Sequence, residues 1–231
     1  MFEFTCYYED GYSEPCSFWD AHIWPLADSL DRSEIAMAVK DSMLIVPWAG
    51  AVHLLALAVI GGLILMVDFR TLGFGLKSYA PAELERRLRP ALIAAIVVMV
   101  ISGSLLALGE VMRLYESPPY WMKMTALFSA LLFTFAARPK ILSGDPKLGT
   151  VRTALAILAV ALWVYVFVLI AAALAWYAMG VLVLALGVLF LTGRRHAPPG
   201  EALPFGMKLT AMTSLALWMT VAVSGRWIAF Y

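Results

Sequence analysis

One histidine, His53, lies inside an apolar segment of this chain, and it is the first side chain to ask for chemistry. Leu57, Gly61, Ile64 and Asp68 follow it at helical spacing and share its face. An imidazole at membrane depth can be an axial haem ligand, a hydrogen-bond donor to a quinone, or a proton-relay group. It can equally be a packing histidine, bonded to a neighbouring backbone group or serine. Two-histidine haem b ligation needs a second histidine in a span. His22 and His196 are the only others, and they fall outside the apolar segments on opposite sides. A His–Met pair would use Met99, which shares a face with Gly103, Leu106 and Glu110. Gly61 and Gly62 predict a close approach by another helix or a flat cofactor.

Other ionisable groups sit where helices end. Asp68 and Arg70 close the first apolar segment, predicting an ion pair with a helix end or another subunit. Glu110, Arg113 and Glu116 cluster after the second segment, Lys123 begins the third, and Arg226 ends the last. These read as structural charges, with Lys123 snorkelling toward water. The only cysteines, Cys6 and Cys16, lie close together near the start. On an oxidising face they can close a small disulfide loop, and two free thiols are the alternative. Two cysteines without nearby histidines do not make a four-ligand zinc site. Nucleotide-binding and hydrolase motifs are absent, and no stretch is basic in the manner of a nucleic-acid surface. No catalytic activity of the chain's own is expected.

These groups are carried by apolar segments near 44–67, 90–109, 121–137, 153–171, 174–192 and 208–224. Each has about the 17–25 residues that cross a bilayer as a helix. The fold class expected is therefore all-α, a polytopic transmembrane bundle of six spans over residues 44–231. Residues 153–192 are read as a tight hairpin turning near 171–176. Twelve of the seventeen Lys and Arg residues fall after the first, third and fifth segments, Arg138, Lys140 and Lys208 among them. Those loops are then cytoplasmic, and both termini periplasmic, in a bacterial inner membrane.

Residues 1–43 form an acidic tail with nine acids against two bases, while the remainder holds seven acids and fifteen bases. No cleavable leader precedes it, so the first span is expected to carry the tail across. Residues 18–42 read as an interfacial amphipathic helix, and the run from Asp31 to Glu34 as a capping box. Pro47 and Pro90 are placed in the first turns of the first two spans, and Pro118 and Pro119 before the third.

Three stretches together resemble a family of small bacterial integral membrane proteins of unknown function. They are residues 47–76 (Pro47, His53, Gly61, Gly62, Asp68, Arg70, Gly73), residues 115–124 (Pro119, Lys123) and residues 215–231 (Gly225, Arg226). The resemblance implies a four-helix core, to which this chain adds the 153–192 hairpin and the cysteine-bearing tail. The family looks distantly like copper-resistance D-type and b-type cytochrome membrane domains. The function expected is a non-catalytic subunit of a larger membrane complex, redox or respiratory, contacting lipid and docking other protein subunits through its periplasmic side. The alternatives are an electron-transfer subunit binding haem b or quinone near His53, and a small transporter or metal-handling protein.

Overall fold

The computed structural model describes residues 4–7, 13–16, 18–75, 78–143, 149–174 and 204–230. A short antiparallel hairpin comes first, β1 (Phe4–Tyr7) and β2 (Ser13–Cys16), with Cys6 opposite Glu14 and Phe4 opposite Cys16. The all-α expectation missed this hairpin. The side chains of Cys6 and Cys16 lie outside the described residues. Everything else described is helical or connecting. Four helical stretches are long and apolar enough to cross a membrane: Ile45–Leu72, Pro81–Gly109, Pro118–Leu142 and Phe205–Phe230. They make this a helical membrane protein.

The expected single tail helix is three short ones, α1 (Phe18–His22), α2 (Trp24–Asp31) and α3 (Glu34–Asp41). Pro25 starts α2, where its missing N–H costs nothing. The cap of α3 is Ser33, whose hydroxyl accepts from the Ala36 N–H at 3.2 Å. Asp31, expected to open the cap, instead pairs with Lys40 at 2.7 Å. Then come α4 (Ile45–Leu72), with Pro47 in its first turn, and α5 (Pro81–Gly109). Pro90 does not open α5 but lies inside it, because residues 81–89 continue the helix beyond the apolar segment. Their charges are consistent with that: Glu83 bridges Arg86 and Arg87 one turn on.

After α6 (Val111–Glu116), α7 (Pro118–Leu132) passes through a π turn, Phe133–Ala137, into α8 (Arg138–Leu142). Arg138 is therefore not a loop base. α9 (Thr150–Leu174) includes the four residues 171–174 that the sequence assigned to a turn. The second half of the expected hairpin, 175–192, lies outside the described residues. α10 (Phe205–Trp227) completes the set, and Lys208, also read as a loop base, is buried in its first turn.

The chain divides into two compact units, Met1–Leu55 with Val97–Ser117 and Ala56–Ile96 with Pro118–Tyr231. In the first, α2 packs on α6, and Val39 and Val46 close on Gly109. Tyr115 donates to the Asp20 carboxylate at 3.3 Å, tying the tail to α6. Burial, and secondarily the Asp20 charge, push the Tyr115 phenol above its ordinary value near 10. The folded value is the higher one, so this tie is whole below pH 10 and is lost as pH rises through the raised value. Ultraviolet titration should show a late-ionising tyrosine that is lost in Tyr115→Phe. Asp20→Asn should bring it only part of the way back, since burial is the larger cause.

In the second unit α10 packs on α7, and α7 on α9. Two tryptophans cross the helices: Trp218 donates to the Thr134 hydroxyl and Trp163 to the Thr220 hydroxyl, each at 3.2 Å. Apolar clusters join α4 to the others, Val67 with Leu84 and Leu142, and Leu72 with Ala211 and Leu215. Trp218→Phe removes one buried hydrogen bond along with part of a buried ring. It should cost about 1 kcal/mol, read as a lowered thermal midpoint in detergent, and Phe at Trp163 should cost less because that ring is only half-buried.

Candidate functional site

His53 and Met99 are brought together, through the main chain of Met99 rather than its sulfur. The His53 Nδ1 lies 3.0 Å from the Met99 carbonyl oxygen and 3.2 Å from the Ser102 hydroxyl. Ser102 in turn donates to the Val98 carbonyl at 2.7 Å. A proton on Nδ1 satisfies the Met99 carbonyl and fixes the tautomer. The imidazole comes this close to α5 because Gly103 carries no side chain: a Cβ there would stand 3.0 Å from His53 Cε1 and 3.3 Å from Nδ1. A macrocycle sandwiched between His53 and Met99 would have to part this bond and this contact.

No other helix comes close at Gly61 or Gly62, for a Cβ at either meets no protein atom within 4 Å. The close approach is at Gly103, which the sequence placed only on the face of Met99.

In the other unit the structure assembles a polar node that the sequence did not group. Asp68 comes from α4, Glu85 from α5, Arg138 from α8 and Ser214 from α10. Arg138 donates through Nη2 to Asp68 Oδ1 at 2.7 Å, and both residues are 1% exposed. Burying either ion alone costs several kcal/mol, so the pair is a strong constraint on how α4 and α8 meet. The half-buried Glu85 lies within electrostatic reach of both, and Arg89 faces Glu85 while stacking over Phe135. The Ser214 hydroxyl faces Asp68, near enough to act on its carboxylate. Arg70 donates to the Tyr79 carbonyl at 2.7 Å.

The π turn explains why periodicity did not reveal this node. It inserts one residue, rotating the downstream side chains by about 100° relative to an uninterrupted helix. A signal existed nonetheless, since Arg138 is followed by Pro139 and by apolar Ile141 and Leu142, unlike a hydrophilic loop.

The remaining charges are peripheral. Glu110 pairs with Arg113 at 3.0 Å across one exposed turn, an arrangement of small energetic consequence. Arg226 stacks on Phe230, its guanidinium 4.8 Å from the ring centre. Lys123 lies along Gly225, where α7 begins and α10 ends, so a side chain at Gly225 would touch its stem at 3.5 Å. Among the described residues, no group of three or more His, Cys, Asp or Glu side chains is placed to hold a metal ion.

No curated protein and no solved structure matches this chain. One family does, over residues 42–180, a stretch containing His53, Gly103, Asp68, Glu85 and Arg138. It covers more than half of the sequence, and on that ground the chain belongs to the family of unknown function DUF6644.

Proposed function

We propose that this protein is a non-catalytic subunit of a larger membrane assembly, with its acidic tail as the docking surface for other subunits. The observation carrying this reading is what the tail displays. Leu26, Leu30, Ile35 and Met37 on α2 and α3 are all exposed, outside the membrane-crossing helices. Apolar groups shown this way mark a protein or membrane interface. Helices that lie on anionic bilayers carry Lys and Arg on the polar face. Here both bases, Arg32 and Lys40, are already paired with Asp28 and Asp31. The surface left is apolar and acidic, which suits a protein partner better than an anionic lipid face.

Six spans in a bacterial inner membrane fit this reading. α9 runs antiparallel to α7 and starts, like α10, at the end bearing Arg138. Residues 174–192 are apolar over the length of a span, which supports a return crossing between α9 and α10. Arg86, Arg87, Arg89, Lys140 and Arg152 gather at that same end, which the positive-inside rule makes cytoplasmic. The tail is then periplasmic.

Mild extraction from native membranes followed by native electrophoresis tests the proposal. A particle well above the 25.3 kDa chain is expected. Removing residues 1–43 should return it to the small form with the bundle still folded. A chain that migrates alone with its tail intact would sink the subunit reading.

A second reading is an electron-transfer subunit binding haem b or quinone at His53, in keeping with the distant likeness to b-type cytochrome and copper-resistance D-type domains. It is favoured by the Nδ1 contact to the Met99 carbonyl, since ligating imidazoles are oriented by a hydrogen bond from their other ring nitrogen. A reduced-minus-oxidised spectrum of the purified chain decides for haem, and the band should vanish in His53→Ala.

A further inference from the structure

Four buried polar atoms of the Asp68 node have no hydrogen-bond partner: Asp68 Oδ2, Glu85 Oε2, Arg138 Nε and Ser214 Oγ. They come from four different helices and converge on one ion pair. Two are carboxylate acceptors, one is a guanidinium donor, and one is a hydroxyl able to donate. Buried polar groups left unpartnered cost about 1–3 kcal/mol each, so four around one pair are not a stable dry arrangement.

Their complement is a small molecule with two donors and two lone pairs. Water has that valence, and internal waters typically make two to four bonds to otherwise unsatisfied groups. A metal cation is opposed by the guanidinium, and a third acid or histidine is missing from the node. We propose that the node is a water-binding site, in which one water donates to Asp68 Oδ2 and Glu85 Oε2 and accepts from Arg138 Nε–H and the Ser214 hydroxyl. Glu85 is the half-buried member, so the water exchanges with the aqueous phase past its side chain. The site carries exchangeable protons to a carboxylate that is otherwise sealed within the second unit. This goes beyond the subunit reading and does not depend on it.

The test places a thiol at the node, in native membranes, with Cys6 and Cys16 both replaced by Ser. Silver ion reacts with a thiol that water can ionise. In Ser214→Cys, silver pretreatment should abolish later maleimide labelling of the denatured chain. Ser129→Cys is the dry control, since Ser129 is fully buried and its hydroxyl is already bonded to the Thr125 carbonyl. It should keep its labelling. Equal labelling of both positions, protected or not, would overturn the water site.

Discussion

Arg138→Met should lower the unfolding free energy by about 3–5 kcal/mol, because it leaves the Asp68 carboxylate buried without its counter-ion. The same substitution combined with Asp68→Leu should recover most of that loss, since the pair is then replaced by apolar groups of similar bulk. Reversible unfolding in mixed micelles, run on both singles and the double, measures the coupling. Asp68→Leu alone should also be costly, leaving a guanidinium in the same sealed position. The contrast with the surface pairs is the decisive control: Arg113→Ala, which breaks the exposed pair with Glu110, should change stability by less than about 1 kcal/mol. If the double variant is as unstable as the two singles added together, Asp68 and Arg138 do not act as a pair, and the node loses its organising contact.

Gly103→Ala should displace the His53 ring. The added methyl would sit at 3.0 Å from Cε1, closer than side-chain carbons pack, and the neighbour it meets is a rigid ring rather than the end of a flexible chain. Either the imidazole rotates away from the Met99 carbonyl or α4 and α5 separate locally. Overpacking of this kind costs about 1–3 kcal/mol. The signature is in the double variant. His53→Ala removes the obstacle, so Gly103→Ala should become harmless or favourable in that background, where alanine's better helix propensity is no longer opposed. Additive losses would show that Gly103 does not accommodate His53. Gly61→Ala and Gly62→Ala, where nothing stands in the way, should be neutral or mildly stabilising.

How much of the fold and the site was legible beforehand depends on the distance over which each feature is encoded. The membrane-crossing helices were legible from single segments, because an apolar run of span length has few other stable forms in a bilayer. Pro47 was placed well, in the first turn of α4, because proline acts on its immediate neighbours; Pro118 and Pro119, expected ahead of the third span, instead open α7 itself. His53 was singled out correctly as a residue needing a partner, and a backbone or serine partner was one of the readings open to it. Which carbonyl and which serine could not be read, since Met99 and Ser102 lie on another helix whose rotation depends on packing. Pro90 and the tail show the limits even of local signals. The charged turns before Pro90 continued the helix through their own i to i+4 ion pairs, and the tail broke into three helices where one amphipathic pattern suggested one.

That this is a helical membrane chain, with an acidic, apolar-studded tail and its bases gathered at helix ends, is written in local sequence. Composition and segment length suffice for that, because the bilayer imposes the same requirement on every residue that enters it. Where chemistry can occur depends on contacts between distant segments. The π turn swung Arg138 out of an apparent loop and into contact with Asp68, seventy residues earlier. Gly103, not the Gly61–Gly62 pair, proved to be the position where a missing side chain matters. Both outcomes depend on the relative rotation and register of helices far apart in the chain, and that is set by the packing of all of them at once.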